Sequence, residues 1–232
     1  WSREELALDV ATGELVLPGG GGSGDPAAVI AGYVDLPNGI VSSLVNITFE
    51  TWVTWQGAGS WQRIFDIGTS AGGEDVSNGN GEYFFLSPQG DANLRFAVRD
   101  PRTGGEPTQL TSSTPLATGT QVYLAATYDY TGNQARLYSN AVLVASGPAA
   151  VPPNIIHDVN NWLGRSQWGD PMFQGRYNEF RIWEGALSAA QVGMMTTGQV
   201  AGLSSTQVTS LSSTQVAAWG TAQIASLTAT GI

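Results

Sequence analysis

The 232-residue chain contains no cysteine. Thiol nucleophiles, disulfide frameworks and thiolate metal sites are thereby excluded. Charged residues make up only 12% of it, about half the usual share. That shortage argues against helical bundles, which need Lys and Glu on their wet faces. Positive charge is the scarcer sign, nine basic residues against 19 acidic ones, for a net charge of −10. Such a chain repels phosphate backbones, so nucleic acid is not an expected partner. The same acidity favours solubility and suits Ca²⁺, a hard cation that takes oxygen ligands. No apolar run approaches the roughly 20 residues of a membrane span. No signal peptide is present and the first residue is Trp1, so the sequence reads as a processed or excised piece of something longer. A single histidine, His157, stands in "PPNIIHDV" with no serine-centred elbow around it, which leaves no Ser-His-Asp pattern to build on.

What the chain does hold is turn-forming and β-forming text. Glycine reaches 30 residues and hydrophobic residues 42%, ample for a core. "LVLPGGGGSGDPAAVIAGYVDLP" places a Gly-rich break at Gly19 to Gly24 between two short apolar runs. No Lys-Ser/Thr follows it, so it reads as a loop and not as a phosphate cradle. From Tyr33 to Trp183 the pattern is β almost throughout. In "VNITFETWVTW", Ile47, Phe49, Thr51, Val53 and Trp55 alternate with Asn46, Thr48, Glu50, Trp52 and Thr54, the period of a strand. "WQRIFDIG", "EYFFLSP", "LRFAVRD", "QVYLAATYD", "QARLYSNAVLVAS", "NNWLGRSQ" and "GRYNEFRIW" follow, separated by turn signals such as Gln89-Gly90-Asp91 and Ser139-Asn140. Many short strands without intervening helices predict an all-β, antiparallel two-sheet sandwich.

Taken in order, "YVDLPNG", "ITFETWVTWQGAGSWQRIFDIG", "YFFLSP", "LRFAVRD", "YLAATYDYTGNQARLYSNAVLVAS", "NNWLGRSQ" and "FQGRYNEFRIWEGALSAAQV" resemble the LamG-like jelly-roll modules of bacterial extracellular proteins. Those modules belong to the concanavalin A-like lectin/glucanase fold, and the resemblance covers about residues 28 to 193. It implies a jelly roll of two stacked antiparallel sheets, a frequently bound Ca²⁺ and a role in adhesion or carbohydrate attachment outside the cell. It does not imply one ligand, because the fold hosts many functions. Glucanases of this fold carry a Glu-x-Asp-x-x-Glu run on one strand; no such run occurs, and Glu50 and Asp66 stand alone. The reading is therefore a non-enzyme.

The chain divides into an N-terminal strand with the Gly-rich loop (1–27), the jelly roll (28–186) and an octad array (187–232). Stacked from Leu187, the tail reads LSAAQVGM, MTTGQVAG, LSSTQVTS, LSSTQVAA, WGTAQIAS, LTATGI. Gln recurs at 191, 199, 207, 215 and 223, each followed by Val or Ile. Ser or Thr, two residues, then Gln is the capping-box spacing, so each octad reads as a short helical turn, capped and then broken. A β-solenoid and a flexible low-complexity stalk remain as alternatives.

Site candidates follow from composition and resemblance together. By resemblance, Ca²⁺ would sit at a sheet rim on Glu82, just before Tyr83, with Asp170 and Asn178; the related modules usually have Asp at the last place. An exposed Trp can stack on a sugar ring. Trp168, between Gln167 and Gly169, is the best such platform, with Trp61 and Trp162 also beside turns, whereas Trp52, Trp55 and Trp183 are assigned to the core. The functional expectation is a non-catalytic, secreted or cell-surface bacterial module that attaches to a glycan or surface protein. The alternative is a structural subunit of an extracellular filament or surface layer, self-associating through the octads.

Overall fold

A computed structural model describes residues 7–9, 13–25, 32–193 and 224. Its strands are β1 (Ala7–Asp9), β2 (Glu14–Pro18), β3 (Val34–Leu36), β4 (Asn46–Trp55), β5 (Phe65–Gly68), β6 (Tyr83–Gly90) and β7 (Asn93–Asp100). They continue as β8 (Gly105–Thr111), β9 (Gln121–Asp129), β10 (Gln134–Ser139), β11 (Val142–Gly147), β12 (Asn160–Leu163) and β13 (Gln174–Glu184). Two antiparallel sheets result, one ordered β1-β2-β13-β4-β9-β10-β11 and the other β3-β12-β5-β6-β7-β8. This is the expected all-β two-sheet sandwich. The N-terminal strand, set apart in the sequence reading, is part of it: β2 pairs with β13 from Gln174↔Pro18 to Tyr177↔Leu15.

The alternation in β4 sorts its side chains as the pleat requires. Ile47, Phe49, Val53 and Trp55 enter the core, while Glu50 and Trp52 point to the outer face. Across the sandwich Phe49 meets Phe65 at 4.7 Å between ring centroids, and Phe84 meets Tyr128 edge-on at 5.2 Å. Two buried phenols tie the layers to backbone: Tyr177 donates to the Ile64 carbonyl at 2.7 Å and Tyr128 to that of Val151 at 2.7 Å. Thr51 is the one polar residue on the inward row of β4. The register of β13 slips there between Tyr177 and Glu179, and the Thr51 hydroxyl donates to the Glu179 carbonyl at 2.5 Å. A buried hydroxyl thus finds a partner at a bulge.

Trp183 departs from expectation. Its neighbour Ile182 pairs with the inward Phe49, so strand parity puts Trp183 on the outer face, where it is exposed. Beyond β13, a helical turn over residues 189–193 lies on the outer face of the seven-stranded sheet. Val192 is fully buried there with Tyr123, Ala125 and Tyr138, and Leu187 packs beside it. The Ser188 N–H donates to Gln191 Oε1 at 2.9 Å, and the Gln191 N–H donates to Ser188 Oγ at 3.4 Å. The first octad therefore carries a reciprocal capping box. The remaining octads, apart from Ile224, lie outside the described residues.

Candidate functional site

Strand register places a polar and aromatic layer on the outer face of the six-stranded sheet. Asp35, Trp162, Asp66, Phe85, Ala97 and Gln109 form one row across it. Gly68, Tyr83 and Arg99 belong to the next. Tyr83, Phe85 and Ala97 form a small apolar cluster, and Trp61 and Trp168 pack against it from loops. Arginine fills the space between: the Arg63 guanidinium carbon lies 4.4 Å from the Phe85 ring centroid and 5.5 Å from that of Trp61. Arg95 lies 5.2 Å from the Trp61 ring, and Arg99 5.6 Å from that of Trp168. Contacts of this kind hold both cation and ring in place.

Segments distant in sequence hold the Trp168 loop, together with a hydroxyl of the loop itself. Its indole N–H donates to the Tyr83 hydroxyl, and its backbone N–H to Ser166 Oγ at 3.0 Å. One face of the ring lies on Gly79, where a Cβ would come within 2.3 Å of the indole. Gly79 has φ +58°, a left-handed conformation that glycine adopts without strain. From behind, the Gly-rich segment supports the loop: the Ser23 N–H donates to the Asp170 carbonyl at 2.6 Å and the Met172 N–H to that of Gly21 at 3.0 Å. A Cβ at Gly22 would meet the Gly169 carbonyl oxygen at 2.6 Å, so the backbones approach as only glycine permits. The run Gly19 to Gly24, a plain loop in the sequence reading, is a docking strip for the site.

The electrostatics centre on Arg63, which is buried. Its Nε lies 3.1 Å from Asp66 Oδ2 and its Nη2 3.0 Å from Asp170 Oδ2. Asp66 also accepts the Gln167 N–H at 3.0 Å. Burial dominates all the same and pushes the Asp66 carboxyl up to about 7, with Arg63 pulling the other way. The Tyr83 hydroxyl is likewise pushed up by burial, and by the charge of Asp66. Arg95 pairs with Glu106 and, at 3.3 Å, with Asp91. Arg99 reaches only the side-chain oxygen of Asn80, at 3.2 Å, and has no carboxylate partner among the described residues.

Of the residues singled out in sequence, the structure brings Trp168 and Trp61 to one face, both partly buried. Trp162 is a correction. It is fully buried opposite Asp66, with the Arg165 guanidinium 3.9 Å from its ring centroid and Tyr33 edge-on at 5.9 Å. No ring face is left for a sugar.

The three expected Ca²⁺ ligands are not brought together. Glu82 contacts His157, Asp170 serves Arg63 and Ser166, and Asn178 is exposed in the β13 bulge on the other sheet. With Asn178 on the other sheet, the three as placed do not form one donor set, and among the described residues no three His, Cys, Asp or Glu cluster for a metal. Sequence reasoning missed Arg63 and Arg99, because it sought sugar contacts among aromatics and acids. Strand parity was the available signal, since Arg99 alternates with Val98 and shares its face with Ala97.

Residues 29–193 match the Laminin_G_3 family, described as the concanavalin A-like lectin/glucanases superfamily. No curated protein matches the chain. Among solved structures, it is similar to domain 4 of AbnA, a GH43 extracellular arabinanase from Geobacillus stearothermophilus, in complex with arabinotriose. That likeness has 23% identity and a TM-score of 0.58 over 82% of this chain and 79% of the other. The chain is also similar to the Ruminococcus gnavus IT-sialidase CBM40 bound to alpha2,3 sialyllactose, at 15% identity and TM-score 0.57, over 78% and 95%. With the family match spanning most of its length, the chain belongs to the concanavalin A-like lectin/glucanase superfamily.

Proposed function

We propose that the chain is a non-catalytic glycan-binding module of an extracellular attachment protein, and that it meets sugar on the outer face of the six-stranded sheet between Trp61 and Trp168. One observation carries this reading: two partly buried tryptophans are held in fixed positions on one face, and the Arg99 guanidinium over the Trp168 ring has no acidic partner among the described residues. Phe85 and Ala97 are already covered, so a ligand would meet the accessible parts of both indoles, the Arg99 guanidinium, and the exposed Asn80 and Gln109. Aromatic edges suit the apolar side of a pyranose, and the polar groups its hydroxyls. The two similar structures, one in complex with arabinotriose and one bound to sialyllactose, are consistent with it.

A non-catalytic role fits the placement of the acids. Glu50 accepts from Tyr123 and Arg181 on the outer face of the seven-stranded sheet, whereas Asp66 is buried under Arg63 on the other sheet. They cannot flank one glycosidic bond. Ca²⁺ support through Glu82, Asp170 and Asn178 is not part of this reading, because each of the two acids already serves a cation or imidazole.

A glycan array followed by calorimetry on the best hit tests the proposal. Trp168→Ala should weaken binding at least about tenfold, near 1.4 kcal/mol, while leaving the melting transition two-state. Unchanged affinity in both Trp168→Ala and Trp61→Ala would move the site elsewhere.

A further inference from the structure

The outer face of the seven-stranded sheet carries an apolar cluster covered by the chain's own first octad. Leu187 and Val192 of the first octad sit on Tyr123, Ala125, Tyr138, Trp52 and Ala141. The segment enters through a shared hydroxyl: Thr48 Oγ1 donates to the Gly185 carbonyl and accepts the Leu187 N–H, both at 2.9 Å. It is then shaped by the Ser188–Gln191 cap. Four octad positions thus make the contact or form the turn, namely Leu, Ser, Gln and Val. The two positions between Ser and Gln, Ala189 and Ala190, are exposed.

The tail keeps those four letters and changes the other two. Leu203, Ser204, Gln207 and Val208 repeat the docked set, as do Leu211, Ser212, Gln215 and Val216. Ser205 and Thr206, or Ser213 and Thr214, stand at the exposed positions. A spacer needs no such selectivity. The fifth octad gives an independent sign: Ile224, at the position of Val192, is 44% exposed where Val192 is 0% exposed. Among the described residues there is one such groove, filled by the first octad, and the sequence holds two later octads that repeat its contact residues in full.

We propose that this groove is an octad receptor, and that the LSSTQV segments at 203–208 and 211–216 of a second copy of the chain occupy it by exchange with the first octad. Exchange replaces a Leu–Val pair by the same pair, so it costs little intrinsically, as in domain swapping. The balance is then set by chain concentration and by how many octads each chain offers. Groove and donated octad are different surfaces, so the contact is heterologous and propagates as an open chain unless its rotation closes a ring. This assembly mode is independent of the glycan reading and uses the opposite face.

The absence of native cysteine makes disulfide trapping specific. The 232-residue chain carrying Ala141→Cys, at the groove edge, is mixed with the same chain carrying Val208→Cys under mild oxidation. Ser205→Cys, at an octad position that faces solvent in the first copy, is the control partner. The expected result is a heterodimer forming about tenfold faster with V208C than with S205C, through the raised local concentration of a docked octad. Adding Leu187→Asp and Val192→Asp to the A141C chain should increase the rate further, by vacating the groove. Should that variant fail to fold, the A141C and V208C pair alone decides the matter. Equal rates for V208C and S205C would overturn the proposal. So would an A141C/V208C double variant that closes only within its own chain at every concentration.

Discussion

Replacing Arg63 with Met tests the physical account of the six-stranded outer face most directly. Methionine keeps an unbranched apolar stem over Phe85 and removes the guanidinium, with its bonds to Asp66, Asp170 and the Trp61 carbonyl. Asp66, fully buried, would then keep the Gln167 N–H as its one donor, since its Oδ1 already lacks a protein partner. Removing one partner of a buried ion pair costs about 3–5 kcal/mol. For a chain of this size that corresponds to roughly 6–20 °C in melting temperature. The cost should depend on pH, and its sign follows from Asp66. Its folded value, about 7, lies above the ordinary 3.8, so between these values the folded state holds a proton that the unfolded state has lost. Stability of the unmutated chain from this group is therefore greatest below about 4. It declines as pH rises towards 7, by at most about 1.4 kcal/mol per pH unit, and is level above. At pH 5 Asp66 is largely protonated, and removing Arg63 strands no buried charge there. Urea melts of R63M and the parent at pH 5 and pH 7.5 should show the larger penalty at pH 7.5. A penalty under about 1 kcal/mol at pH 7.5, or an equal penalty at both values, would refute the account.

Gly79→Ala should lose about 1–3 kcal/mol, because it places a Cβ into the Trp168 ring at a left-handed φ. Gly73→Ala, left-handed but with open space around it, should lose less and leave the tryptophan emission unshifted. Asn178→Ala should change the melting temperature equally in Ca²⁺ and in chelator, as expected of a residue outside any ion site; a shift confined to Ca²⁺ would restore it as a ligand.

Local signals and long-range ones were legible to different degrees. Period-two alternation in residues 46–55 predicted the strand, because the pleat is a local property; assigning Trp52 to the core beside Trp55 overrode that alternation, and Trp52 lies on the outer face. Trp162 shows the limit. Beside a turn in sequence, it looked available to a ligand, yet β12 is inserted between β3 and β5. Its neighbours Asp66 and Asp35 are 96 and 127 positions away, and no local pattern reports them. The pairing of Asp170 was illegible for the same reason: Arg63 is 107 residues before Asp170 in sequence and 3.0 Å from it in space. Trp183 was a different miss. Its parity against Ile182 was readable, and apolar character alone was allowed to override it. The octad cap succeeded in its first copy because a capping box is decided within four residues.

The same distinction separates the two outer faces. The layer over the six-stranded sheet is assembled from segments near residues 22, 61, 79 and 168, so its shape depends on the whole fold being closed. Contacts of that kind are rigid once formed, and they suit a surface that must present two indoles and a guanidinium in fixed relation. The layer over the seven-stranded sheet is a continuation of β13 by a few residues, held by one apolar pair and one hydroxyl. The main core cluster includes neither Leu187 nor Val192, so the proposed exchange would leave the sandwich folded. On that proposal, a sandwich whose sequence repeats its own cover would join to others through one face while keeping the opposite face unchanged.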